Sequence, residues 1–242
     1  MTEAEFFNKF QKSLYDNGLD EVSDAEAQTF FTLLCELLEE NKVTNLTAIT
    51  DPEQVIPKHF VDCLLGCEKI PPQAKVLDLG CGAGFPSLPL AIHLSGPTVT
   101  ALDSTAKKVA FVQKTAEKLR LTNLKTLVGR AEDPILKKQI GSPDLIVSRA
   151  VARLTLLCEL ALPLLPIGGA LFALKGAKGE EELEEAKSAI KVLGGGAPIC
   201  ERRVLRLLDG SAEERTLIWI PKISETPKGY PRSFATMQKK PL

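Results

Sequence analysis

The spacing of apolar residues changes character near residue 70. Before it they recur at helical intervals: Phe6, Phe7, Phe10 and Leu14 share one face, and Phe30, Phe31, Leu34, Leu37 and Leu38 share another. Ser23-Asp24-Ala25-Glu26 precedes the second run and reads as a capping box, in which the serine and glutamate side chains each accept a backbone N–H at the helix start. Asp51-Pro52 opens another helix with proline in its first turn, and Pro57 is expected to break or kink it. The helix carrying Phe60, Val61, Leu64 and Leu65 should end at Gly66. The phenylalanine stripe reads as core packing, so residues 1–70 are expected to form a helical extension covering one side of the sheet built by the rest of the chain.

From Lys75 onward short apolar runs alternate with amphipathic stretches, the pattern of parallel strands joined by helical crossovers. Strands are expected at 75 to 80, 98 to 103, 124 to 129, 144 to 148, 170 to 175, 198 to 208 and 215 to 221, with helices starting near Pro86, Ser104, Glu132, Ala152 and Gly179. Gly194-Gly195-Gly196 stops the fifth of these helices. The turn from Asp209 to Glu214 leaves no room for a helix, so the last two strands should pair as an antiparallel hairpin. The expected architecture is an α/β, Rossmann-like, seven-stranded and mostly parallel sheet over residues 71–221, preceded by the helical extension and followed by a tail, 222–242.

Within the first strand the run Val76-Leu77-Asp78-Leu79 breaks into Gly80-Cys81-Gly82-Ala83-Gly84-Phe85, three glycines spaced two apart. Glycine there lets backbone approach a ligand closely. A dinucleotide fingerprint would put its third glycine three positions after the second, whereas Gly84 follows Gly82 by two. That spacing, Asp78 inside the strand, and seven strands ending in a hairpin point to an S-adenosylmethionine-dependent methyltransferase core. Asp78 suits the amine and ribose of that cofactor.

Ligands in such sheets sit beyond the carboxyl ends of the strands. The second strand ends at Asp103, which can accept both ribose hydroxyls or cap the helix at Ser104. After the third comes Arg130-Ala131-Glu132, where the Ala131 amide and the Glu132 side chain can read an adenine edge or begin a helix. The fourth ends Ser148-Arg149-Ala150, without the Asn-Pro-Pro or Asp-Pro-Pro that takes a proton from an exocyclic amine and without a cysteine placed to attack a pyrimidine. Arg149 suits a cofactor carboxylate or a phosphate, and Lys175, ending the fifth strand, a phosphate or base.

Composition narrows the setting. In 242 residues no apolar run approaches the ~18 residues of a membrane span, and the start Met1-Thr2-Glu3-Ala4-Glu5 lacks a basic leader, so a soluble, cytoplasmic protein is expected. Six cysteines form no CxxC pair and only two histidines accompany them, so zinc spacing is missing and no metal is expected. The net charge of −1 excludes bulk electrostatic coating of nucleic acid. From Lys222 to Leu242, however, five basic residues stand against one acid, a local +4 that reads as an RNA contact or a solvated tail. In the first reading, deleting it would weaken RNA binding and leave cofactor affinity intact. A monomer is the default.

The chain resembles the glucose-inhibited division protein B (RsmG) family of small-subunit ribosomal RNA guanine-N7 methyltransferases. The matching stretches are Asn45-Leu46-Thr47-Ala48-Ile49, Asp51-Pro52, His59-Phe60-Val61-Asp62, the glycine loop through Pro86, Asp103-Ser104, Arg130-Ala131-Glu132, Ser148-Arg149-Ala150-Val151-Ala152, Leu174-Lys175-Gly176 and Thr226-Pro227-Lys228-Gly229-Tyr230-Pro231-Arg232. The resemblance implies that Gly80, Phe85, Asp103, Ser104, Thr105, Ala131, Glu132 and Arg149 hold S-adenosylmethionine, beside Asp78, Gly82 and Gly84 of the loop reading. Arg130 and Lys175 would face RNA or the target base, making them, with Arg149, the catalytic candidates. Cys81 and Cys63 depart from the usual residues by small, isosteric changes, and Phe234-Ala235-Thr236-Met237 stands where the family more often has Pro-Gly.

The function so implied is methyl transfer to guanine N7 in 16S ribosomal RNA, free or in the small subunit, with a rate nearly flat over roughly pH 6.5 to 9 because no group need change protonation. The rivals are a small-molecule methyltransferase on the same core and a non-catalytic RNA-binding assembly factor.

Overall fold

The apolar runs after Lys75 become one seven-stranded sheet in a computed structural model that describes residues 1–149 and 151–242. Strands β1 (Lys75–Leu79), β2 (Thr98–Asp103), β3 (Leu124–Val128), β4 (Leu145–Arg149), β5 (Ala170–Lys175), β6 (Ile199–Arg206) and β7 (Ala212–Pro221) lie in the order β3-β2-β1-β4-β5-β7-β6. The first five run parallel and β7 is antiparallel to both β5 and β6. Strand β7 starts earlier than the expected 215 because the hairpin stays paired almost to its tip, where the Leu207 N–H donates to the Ser211 carbonyl at 2.8 Å. Strand order reverses between β1 and β4, and that point opens a crevice above their carboxyl ends.

Crossover helices α5 (Ser87–His93), α6 (Ala106–Lys118), α7 (Pro134–Ile140) and α8 (Leu154–Ala161) begin one or two residues later than expected, and α9 (Gly179–Val192) begins where expected. For α6 and α7 the delay has one cause: Ser104 and Glu132, read as helix starts, belong to loops lining the crevice.

In the N-terminal part, α1 (Glu3–Asp16) and α2 (Asp24–Asn41) bring Phe6, Phe10 and Phe30 onto Phe60, with ring centroids 4.8 Å apart for Phe10 and Phe30 and 5.3 Å for Phe30 and Phe60. These rings belong to one apolar core that continues through Val76 and Phe85 to Leu217 of β7. The capping box expected at Ser23 is only half formed. Its serine accepts the Glu26 N–H at 3.2 Å, but the Glu26 carboxylate turns to His93 Nδ1 at 2.7 Å and ties α2 to α5. A complete box stands instead at Thr2 and Glu5.

Pro57 does not break its helix. Between α3 (Pro52–Val55) and α4 (Asp62–Leu64) the chain makes a π-helical turn, Ile56–Val61, wide enough to carry the proline ring where no N–H is available. The chain then leaves through Gly66 at φ +81°, where a Cβ would meet the Phe172 ring at 2.8 Å.

Residues 222–242 are not a solvated tail. Lys222 is 2% exposed, its ammonium donates to the Leu193 carbonyl at 2.6 Å, and burial lowers its pKa. Arg232 is bound to Glu159, and α10 (Phe234–Lys239) packs Met237 into the core. Of the five basic residues only Lys228, Lys239 and Lys240 stand exposed, so the local +4 does not act as a free cationic arm. No helix of the described residues is long and apolar enough to cross a membrane, and they contain no cluster of metal-ligating side chains.

Candidate active site

The glycine loop is shaped by close approach. The Gly80 and Cys81 N–H groups donate to the Leu102 carbonyl at 2.8 and 2.9 Å, drawing the loop over the end of β2. Gly80 has φ +80°, and a Cβ there would lie 2.4 Å from a Val151 methyl. Across the loop, Asp103 Oδ2 accepts the Gly82 N–H at 3.0 Å while Oδ1 accepts the Thr105 N–H at 2.8 Å. Each oxygen keeps acceptor capacity for the cavity of about 430 Å³ that Asp103 borders.

Gly80, Gly82, Phe85, Asp103, Ser104, Arg130, Ala131, Glu132 and Arg149 all border that cavity. Three expected cofactor residues do not. Asp78 is 0% exposed beneath the loop and does not border the cavity; its Oδ2 accepts the Ser87 N–H at 2.9 Å at the start of α5, and its Oδ1 has no partner among the described residues. Gly84 is a packing glycine, since a Cβ would sit 2.5 Å from the Leu88 side chain. Thr105 caps α6 and serves through its backbone N–H on Asp103. Ala150 lies outside the described residues.

Burial pushes Asp78 up from 3.8 to about 7. An unfolded chain would therefore ionise this carboxyl first, and the native state loses stability as pH rises from about 4 to 7, then holds level. The Asp78→Asn protein is expected to lack that loss, so its urea stability should gain on the parent between pH 4.5 and 7.5. Parallel stability curves for the two proteins would count against a shifted Asp78.

The π-helical turn supplies residues to which the sequence reading gave no role. His59 stacks on Phe85 with centroids 4.6 Å apart and rings 13° from parallel. Burial, then the Arg149 charge, push its pKa down to about 3, so it is neutral. Arginine can only donate, so His59 Nδ1 accepts Arg149 Nη2 at 3.1 Å and Nε2–H donates to Thr47 Oγ1 at 2.9 Å. Arg149 Nη1 donates to the Lys58 carbonyl at 2.7 Å and to Asp62 Oδ2 at 3.1 Å. The other oxygen of Asp62 accepts Arg215 Nε at 2.7 Å. Only the His-x-x-Asp spacing signalled these groups in the sequence.

A second cavity, of about 670 Å³, adjoins the first across His59, Arg149 and Val151. Lys58, Lys175 and Arg215 line it. Lys175 thus stands away from the loop cavity; it donates to the Ala152 carbonyl and pairs with Glu182 at 2.8 Å. Arg130 borders the first cavity from outside, its guanidinium exposed and 3.7 Å from Glu132.

Residues 26–200 match a family model described as rRNA small subunit methyltransferase G. The chain belongs to that family. Relatives named ribosomal RNA small subunit methyltransferase G include one from Lactobacillus delbrueckii subsp. bulgaricus, 43% identical over 95% of this chain and 96% of its own, and one from Clostridium perfringens, 37% identical over 98% and 99%. Among solved structures, a predicted O-methyltransferase from Agrobacterium tumefaciens superposes with a TM-score of 0.54 at 15% identity, covering 68% of this chain and 82% of that one. Precorrin-6y C5,15-methyltransferase from Geobacter metallireducens gives 0.51 at 13%, covering 75% and 92%. At those identities the likeness is one of fold, that of S-adenosylmethionine-dependent methyltransferases. The loop cavity fits this cofactor: Asp103 offers acceptors for a ribose diol, Ala131 and Leu160 apolar lining, and Arg149 a cation, in a volume ordinary for ligand pockets.

Proposed function

We propose that this methyltransferase transfers a methyl group from S-adenosylmethionine to N7 of a guanine in 16S ribosomal RNA, in the cytoplasm, with the base entering the second cavity. One observation carries the choice of acceptor atom: among the described residues around the shared wall and in the second cavity the groups able to take a proton are already engaged, Glu182 with Lys175 and Glu213 with Lys58 and Arg215. His59 uses one nitrogen to accept Arg149 and the other to donate to Thr47. Asp62 holds two arginines, and the buried Ser148 hydroxyl donates to the Leu79 carbonyl at 2.9 Å. Cys158 is fully buried with its thiol pushed up to about 12, which removes it as a nucleophile.

Guanine N7 needs no base, because its in-plane lone pair carries no proton. S-adenosylmethionine, when bound, supplies a methyl group activated by its sulfonium. That methyl would pass to the lone pair with the thioether as leaving group, so the residues here would have no proton to move. The protein's work is then alignment: Asp103 and the loop fix one partner, while the rigid Arg149–His59–Phe85 stack separates and orients the two cavities. Lys58, Lys175 and Arg215 line the second cavity as ion pairs with Glu213, Glu182 and Asp62, a mixed charged surface that can donate to a phosphate or base, with Arg130 available to RNA at the rim.

Unmodified 16S RNA and small subunits, incubated with the enzyme and cofactor, should become cleavable by borohydride and aniline at a single guanine. Recovery of N2-methylguanine or a methylated pyrimidine instead, without a cleavable site, would falsify the N7 assignment. Methyl transfer to metabolites alone would favour the small-molecule rival. The single-turnover rate should be flat between roughly pH 7.5 and 9, where neither His59 nor Asp78 titrates. Asp78, at about 7, narrows the plateau expected from sequence.

A further inference from the structure

The lining of the cofactor cavity includes a hydrogen-bonded polar cluster, Thr47, His59 and Arg149, and the apolar side chains of Ala131, Leu160 and Phe234, with Arg130 beside the last. Phe234 comes from the last turns of the chain, the first residue of α10, and three contacts hold it in place. Two residues earlier, Arg232 meets Glu159 through Nε to Oε1 at 2.7 Å and Nη2 to Oε2 at 2.6 Å, and its backbone N–H adds a third bond to Oε1 at 3.0 Å. Glu159 is 1% exposed and directly precedes Leu160 of the wall. On the other side Met237 is buried in the core, and the Arg130 guanidinium carbon lies 5.8 Å from the Phe234 ring centroid.

Asp103, the acceptor for a ribose diol, borders the same cavity as both groups. The amino acid part of the cofactor suits the Thr47–His59–Arg149 cluster, which leaves the apolar side chains of Ala131, Leu160 and Phe234 for its flat base. We propose that Phe234 is a binding residue for the adenine of S-adenosylmethionine, and that the Glu159–Arg232 pair is a positioning latch that holds it against the cavity. This rests on the S-adenosylmethionine reading of the loop cavity. It reverses the expectation that residues 222–242 could be removed without cost to cofactor affinity.

Calorimetric titration with S-adenosylhomocysteine tests it. The Phe234→Ala protein should bind about tenfold more weakly, as expected for loss of one base–aromatic contact, while Phe234→Tyr should stay within about twofold. Glu159→Gln should weaken binding in the parent and add nothing in the Phe234→Ala background, because the latch acts through the ring; equal effects in both backgrounds would make Glu159 a general structural support and sink the latch. Should Phe234→Ala fail to fold, Phe234→Trp in a Trp219→Phe background provides a single-indole reporter, the chain having one tryptophan. Its emission should change on saturation. An unchanged emission, or an unchanged affinity in Phe234→Ala, overturns the inference and leaves the cofactor reading standing. Absence of any binding by the parent protein overturns both.

Discussion

Asp62→Ala is expected to lower the stability of this protein by ~3–5 kcal/mol, the usual cost of removing one partner from a buried ion pair. The Asp62 side chain is 8% exposed and its two oxygens hold Arg149 at 3.1 Å and Arg215 at 2.7 Å. Arg215 keeps Glu213 at 2.8 Å in the variant. Arg149 keeps the neutral Lys58 carbonyl, His59 and the Phe85 ring, none of which carries a balancing charge. Urea unfolding followed by Trp219, which packs 5.5 Å from Phe172 in the sheet, measures the loss. A change below about 1 kcal/mol would place the pair among weak surface bridges and refute this account. Because Arg149 also forms the wall between the cavities, methyl transfer by Asp62→Ala should fall further than its folded fraction.

Asp103→Ala should weaken S-adenosylhomocysteine binding by ~1–3 kcal/mol, roughly fivefold to 150-fold, the range for losing a charged hydrogen-bond partner. Two losses combine there. The cavity loses its carboxylate, and the Gly82 and Thr105 N–H groups lose the acceptor that holds two loops at their present spacing. Calorimetry on the parent and variant checks this directly, with NAD as a counter-ligand. A parent protein that took NAD and ignored the sulfonium cofactor would keep the fold and lose the function.

What the sequence made legible was what short-range chemistry determines. Five apolar runs separated by crossover-length segments must build a parallel sheet, and the few residues between β6 and β7 can only turn back, so the topology was readable. The glycine loop and Asp103 were readable because backbone approach to a ligand needs glycine and a strand end needs a polar group to meet it. The burial of Asp78 was not readable: an acid inside an apolar strand looks the same in sequence whether it borders a cavity or lies under a loop as a brace for α5. Charge counting misled in the last 21 residues because the partners of Lys222 and Arg232, the Leu193 carbonyl and Glu159, lie 29 and 73 positions away. The network at the cavity wall was illegible in the same way. Asp62 acquires its role from Arg149 and Arg215, 87 and 153 residues along the chain.

The π-helical turn at Ile56–Val61 reconciles two registers that a uniform α-helix would set against each other. Phe60 is committed to the rings of α1 and α2, whereas Lys58, His59 and Asp62 are committed to Arg149 and the hairpin. A π turn holds one residue more than an α turn between the same flanks, so deleting one residue here would relax it to ordinary helix and leave too few positions to serve both commitments. The chain could then keep its aromatic core or its ionic wall, and not both. Length is therefore fixed over these six residues more tightly than side-chain identity, and an alignment gap inside them would signal a differently built acceptor cavity.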